Sequence, residues 1–183
     1  VNRPCRFAVA CLLVLLQACS SVGPLAPAKP VAETFVLGGR VSVRAGEETF
    51  SGSMAWAATG MGDDVLLSDP LGQGVASLSR SAAGVVLTPA GREPVHAQSA
   101  EELTEKVLGF RLPLAGLRYW VQGHPDPGRP FATRRDDGGG VGQLRQDGWV
   151  IDYLQYRDQR PRKIHVSREE LEIRLVIDEW QAN

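Results

Sequence analysis

FVLGGRVSVRAGEETFSGSMAW, residues 35–56, decides how the chain must be read. Phe35, Leu37, Val41 and Val43 fall on one face of an extended segment, with Arg40, Ser42 and Arg44 on the other. The same alternation resumes at Phe50, Met54 and Trp56 against Ser51, Ser53 and Ala55. Side chains of a strand point alternately to the two faces of a sheet, so a period of two identifies a strand with one buried face. Ala45-Gly46-Glu47-Glu48 between the two runs supplies the turn. The stretch predicts a β-hairpin.

The pattern extends in both directions. VLLSD, GVASLSR, GVVLTP and REPVHAQ follow as short strands broken by Gly and Pro. Further on, VGQLRQ and WVIDYLQY flank Asp147-Gly148, a dipeptide suited to a two-residue hairpin turn. IHVSR and ELEIRLVIDEW close the chain, with Leu171, Ile173, Leu175 and Ile177 facing one way. Two helices interrupt the series. Ser99-Ala100-Glu101-Glu102 is a capping box followed by Leu103, Val107 and Leu108 at helical spacing before Gly109. Pro113 opens the second, with Leu114, Leu117, Trp120 and Val121 as its apolar stripe and Gly123 at its end. HPDPGRP, residues 124–130, reads as a loop. This order predicts a mainly β fold with inserted helices: a sandwich, a barrel or one strongly curved antiparallel sheet. The helices must bury their stripes, and the concave face of a curved sheet is the simplest place, as a lid. Trp56, Trp120, Trp149 and Trp180 fall on inner faces or on the helix stripe, and either a filled core or a ligand cavity would use such residues.

One turn is unusual. SDPLGQG, residues 68–74, has turn chemistry in Asp69-Pro70-Leu71-Gly72, because Pro pre-sets φ and Gly closes the fourth position. The remaining position, at the tip, is leucine. A lone exposed leucine is ordinary in itself.

The N-terminal segment is not part of this fold. Arg3 and Arg6 precede a ten-residue apolar run, Phe7 to Leu16, about half of the ~20 residues that span a bilayer, which marks a secretory signal. Leu16-Gln17-Ala18-Cys19 resembles the bacterial lipobox, which implies cleavage after residue 18 and diacylglyceryl and acyl lipid on Cys19. Cys5 and Cys11 lie in the signal, so the mature chain would keep only Cys19 and form no internal disulfide. Ser20 and Ser21 follow, with no aspartate next to the cysteine, and by analogy this points to the outer membrane. Residues 19–33 carry Pro24, Pro27 and Pro30 among small residues and read as a tether. The expected organisation is signal 1–18, lipidated tether 19–33 and one domain, 34–183. Loss of Arg3 and Arg6 leaves 18 basic against 21 acidic residues and moves the formal net charge from -1 to -3, which gives no basis for nucleic-acid binding.

Catalytic constellations are not found. His96, His124 and His165 form neither a His-Glu-x-x-His nor a Cys/His metal pattern, and no Gly-x-Ser-x-Gly elbow occurs. Gly138-Gly139-Gly140 lacks the strand-to-helix setting of a phosphate loop and reads as a flexible link. No enzyme, metal or cofactor is expected beyond the covalent lipid on Cys19.

Taken in order, the lipobox, the tether, FVLGGRVSV, Met54-Ala55-Trp56, SDPLG at 68–72 and LPLAGLRYWVQGHPDP at 112–127 resemble the LolB outer-membrane lipoprotein receptor family. The resemblance implies an incomplete antiparallel barrel with a helical lid over a hydrophobic cavity. It implies a monomer at the outer membrane, facing the periplasm, that takes lipoproteins from the soluble carrier LolA by their acyl chains. It also implies insertion of that cargo into the inner leaflet of the outer membrane, with Pro70-Leu71-Gly72 as the membrane-insertion loop. From alternation and helix stripe, Phe35, Leu37, Met54, Trp56, Leu103, Val107, Leu117, Trp120 and Trp149 are the candidate cavity residues. Two alternatives stay open: an anchored structural or assembly lipoprotein, and a carrier of other lipids on a similar fold.

Overall fold

The structure, a computed structural model, describes residues 31–108, 111–136 and 139–182. The expected signal, Cys19 and most of the expected tether lie outside the described residues. Eleven strands form one antiparallel sheet: β1 (Phe35–Ala45), β2 (Glu48–Ala58), β3 (Asp63–Ser68), β4 (Gly74–Ser81), β5 (Gly84–Pro89), β6 (Val95–Ala97), β7 (Phe131–Arg135), β8 (Val141–Gln146), β9 (Trp149–Arg157), β10 (Arg160–Arg168) and β11 (Leu171–Ala182). Their order in the sheet is β6-β5-β4-β3-β2-β1-β11-β10-β9-β8-β7. Every pair except β1–β11 joins strands consecutive in sequence, so two meanders meet where the first strand pairs with the last. β6 and β7 are the two edges and do not pair, which leaves the barrel incomplete. The chain between those edges carries α1 (Ala100–Leu108) and α2 (Leu114–Trp120).

The alternation predicted for β1 and β2 holds. Phe35, Leu37, Val41 and Trp56 are buried, and Phe50 and Met54 pack against the core. Leu171, Ile173, Leu175 and Ile177 are buried across β11. Beyond Ile177 the phase must change for Trp180 to face inward, and a bulge achieves this. Gly38 pairs with Glu179 and Gly39 with Ile177, which leaves Asp178 as the extra residue. Trp180 then stacks on Phe35 with ring centroids 5.0 Å apart. Phe35 also meets the edge of Trp56, at 5.3 Å.

The hairpin at Asp147-Gly148 forms as expected. Both residues have positive φ, 53° and 79°, as a two-residue turn of this type requires. Asp158 and Gln159 make the same kind of turn without glycine. Two elements depart from the sequence reading. β7 was not anticipated: its five residues are exposed on both faces, so it has no buried face to create an alternation. β10 begins at Arg160, four residues before the segment read as strand, because the register shifts around Pro161 and Lys163 obscure the period.

α1 begins as the capping box predicts, with Ser99 Oγ accepting from the Glu102 amide at 3.1 Å. α2 buries Leu114, Leu117 and Trp120. No described helix is long and apolar enough to cross a membrane.

A side chain at Gly39 would place its Cβ 2.1 Å from the Val176 carbonyl oxygen. Gly39→Ala therefore has to displace β1 from β11 at the bulge. It is expected to cost at least about 1–3 kcal/mol, read as a lower urea midpoint, with no such loss at the neighbouring Gly38→Ala, whose Cβ would meet Glu179 at an ordinary 3.7 Å.

Candidate functional site

α2 lies over the concave face and encloses a cavity of about 70 Å³. Strands β1 to β5 and β11 form its floor and walls, through Val41, Val43, Met54, Trp56, Val65, Leu67, Ala76, Leu78, Leu87, Ile173 and Leu175. Thr104 of α1, Leu112, Leu114 and Leu117 form its roof. Period two is what builds the wall: Val65 and Leu67 of β3 and Ala76 and Leu78 of β4 are the alternate residues that face inward. The one polar lining side chain, Thr104, has its hydroxyl engaged, donating to the Ala100 carbonyl and accepting from the Leu112 amide, each at 2.8 Å. The lining is thus apolar, and the space holds little more than about two waters' volume. Ligand sites commonly measure about 300–1,000 Å³, so the lid is closed in this conformation.

A buried carboxylate fastens the lid. Asp63, 2% exposed, stands at the start of β3. Its Oδ1 accepts from Trp56 Nε1 at 3.0 Å and from Arg118 Nη1 at 2.7 Å, and its Oδ2 from Arg80 Nε at 2.6 Å. Arg118 belongs to α2, so this group joins the lid to β2, β3 and β4. The same guanidinium donates to the Thr59 carbonyl at 2.6 Å and to the Glu33 carbonyl, and lies over the Phe35 ring. Gln122, just past α2, binds both the amide and the carbonyl of Ala32. Ala32, at the start of the described chain, is therefore attached to the lid.

The other side of α2 rests on the second meander. Gln146, 3% exposed on β8, makes four hydrogen bonds. Its Oε1 accepts from Trp120 Nε1 and the Asp126 amide, both at 2.9 Å, and its Nε2 donates to the Asp126 and Arg129 carbonyls. Tyr153 donates to the Trp120 carbonyl at 3.1 Å, and Tyr156 to the Val141 carbonyl at 2.8 Å. Burial holds both phenols neutral. Tyr153 is raised well above its ordinary value, and Tyr156 is pushed up to about 12, with the Asp136 charge adding to the effect of burial.

The Asp69–Gly72 turn closes with a Gly72 amide to Asp69 carbonyl bond of 3.0 Å, and Gly72 has φ +85°. Asp69 Oδ1 accepts from the amides of Leu71 and Gln73, at 2.8 and 2.9 Å. The carboxylate is spent inside the loop, and Leu71 stands at the tip, 85% exposed.

Of the nine cavity candidates, Met54, Trp56 and Leu117 line the space. Phe35, Leu37, Leu103, Trp120 and Trp149 are buried in the core outside it, and Val107 packs at its edge. Alternation identifies the inward face but not which part of that face stays unfilled. Asp63, Arg118 and Gln146 were not singled out from sequence. A polar residue on a buried face carries no mark of its partner, although Asp63 breaks the apolar alternation of β3. Among the described residues no group of three or more His, Cys, Asp or Glu is placed to hold a metal ion.

Removing the carboxylate strands two guanidiniums and an indole N–H. Asp63→Ala is expected to lower unfolding free energy by about 3–5 kcal/mol in urea titration, and Asp63→Ala with Arg118→Leu by less than Asp63→Ala alone. The tyrosines set an alkaline limit. Their folded-state pKa values exceed the ordinary value of 10.0, so their contribution is complete below pH 10 and declines above it, Tyr156's being lost as pH rises through about 12 and Tyr153's at still higher pH. A urea midpoint that is flat to pH 10 and then falls is expected, with Tyr153→Phe falling less steeply.

Residues 33–180 match the family described as Outer membrane lipoprotein LolB. An outer-membrane lipoprotein LolB of Thiobacillus denitrificans is 45% identical over 178 residues, covering 95% of this chain and 96% of the relative. One from Azoarcus is 37% identical, covering 98% of each. Among solved structures, a LolA superfamily protein of Nitrosomonas europaea superposes with a TM-score of 0.51 over 85% of this chain and 88% of its own, at 8% identity, a likeness of fold alone. The chain belongs to the LolB family of outer-membrane lipoproteins.

Proposed function

We propose that this LolB-family chain, anchored through lipid on Cys19, takes the acyl chains of lipoprotein cargo from the LolA carrier into the cavity beneath α2. It then releases them into the inner leaflet of the outer membrane. The observation that carries this reading is the cavity itself: walls of apolar side chains under a helix pinned by a few polar contacts. Each buried CH₂ is worth ~0.8 kcal/mol, so an acyl chain cannot cross water free and must pass from one apolar space to the next. No bond is made or broken. Direction comes from successively tighter binding by the receptor and then the bilayer. The closed cavity is smaller than an acyl chain needs, so uptake has to displace the lid and draw on the Arg118–Asp63 contact.

Leu71 is proposed to act in the last step. One leucine entering the acyl boundary gains ~1.5–3 kcal/mol, enough to orient the cavity mouth and too little to anchor the protein.

Transfer of a labelled lipoprotein from loaded LolA to the purified chain, without nucleotide, tests the main reading. Cargo should move, and cargo that stays on LolA while a fluorescent fatty acid still binds would leave a carrier of other lipids. Leu71→Glu is expected to accept cargo as before and to lose insertion into liposomes. Equal loss of both steps would refute a separate role for the loop.

A further inference from the structure

The β3–β4 hairpin has a second apolar side. Val65, Leu67, Ala76 and Leu78 face the cavity, so the residues between them face away from it. Among these are Leu66, 47% exposed, and Val75, 37% exposed. Leu66 pairs with Ser77, and Val75 is the extra residue between the Ala76 and Gly74 pairings, so the two are diagonal neighbours on the outer face. The loop leans to that same side: Pro70 and Gly72 border a groove with Arg40, Ser42 and Ser53, all outer-face residues. Leu66, Leu71 and Val75 therefore belong to one outward surface.

Its charge is as telling as its apolarity. Residues 65–79, VLLSDPLGQGVASLS, contain a single charged residue, Asp69, whose Oδ1 is bound to two loop amides. Asp64, just before, receives the Ser79 hydroxyl. Exposed Leu66, Leu71 and Val75, with Arg40 at the rim of the groove, suit the headgroup–acyl boundary of a bilayer, where apolar side chains enter the acyl region and cations face the headgroups.

Tether length permits the contact. The domain begins at Ala32 and Glu33, which are bonded to Gln122 and Arg118 beside the β2–β3 turn. That is the opposite end of β3 from Leu71. Six strand residues span roughly 20 Å, whereas the thirteen steps from Cys19 to Ala32 can reach roughly 45 Å. The anchored chain can run past the domain and still let the far end of the hairpin touch the membrane.

We propose that the outer face of the β3–β4 hairpin, with Leu66 and Val75 behind Leu71, lies on the bilayer, so that two strands line the cavity on one side and meet lipid on the other. This rests on the anchored reading above and extends it from a tip to a face. Exiting acyl chains would then have one layer of sheet to round.

The test uses the full lipidated chain reconstituted in phosphatidylethanolamine–phosphatidylglycerol vesicles. An environment-sensitive fluorophore is placed through Leu66→Cys, Leu71→Cys, Val75→Cys or Leu154→Cys, the last 67% exposed on β9. Melting curves in detergent check that each labelled protein is folded. Positions 66, 71 and 75 should shift to the blue and lose intensity to a lipid-borne quencher, and position 154 should do neither. A response at 71 alone would overturn the face contact and keep the tip. No response at any of the three would overturn both, and an equal response at 154 would mean non-specific adsorption and overturn the face contact.

Discussion

The concave apolar face of an open sheet cannot be left in water, and the rest of this molecule answers that constraint. Eleven strands with alternating side chains curve into an incomplete barrel whose edges, β6 and β7, do not meet. The segment joining those edges has to cross the open side, and it carries the two helices. Covering the face and connecting the edges are thus one structural event. Short helices are marginal alone, so α1 and α2 depend on burying Leu103, Leu114, Leu117 and Trp120 against the sheet.

A lid held only by apolar contact would have no fixed position. Polar groups supply that position at the end of α2: Asp63 with Arg118 on the first meander, Gln146 and Tyr153 on the second. Neither group lines the cavity, whose own lining is apolar apart from the satisfied Thr104. The arrangement separates two jobs that would otherwise conflict. The interior can accept or exclude an apolar chain without leaving polar groups unsatisfied, while the lid keeps a defined closed state.

The bulge at Gly38–Gly39 shows how a local device serves this plan. Without the extra residue, Trp180 would follow the phase of Asp178 and face outward. With it, the ring joins Phe35 and Trp56 in an aromatic group beside the lid's guanidinium. Glycine is required at position 39, where a Cβ would run into the Val176 carbonyl.

Much of this was legible in the sequence. Period two in 35–56 and 171–177, the helix stripes at 103–107 and 114–121, and the turn residues at 69–72 and 147–148 each reflect one local rule, in which backbone geometry dictates side-chain direction. Such rules fix which face is inward. They could not reveal β7, which buries nothing, nor the start of β10, where register shifts break the period. Nor could they say which inward residues would border empty space, or that Asp63 would find Arg118 across fifty-five residues. Those outcomes depend on how the sheet curves and where the lid lands, and distance along the chain carries no trace of either.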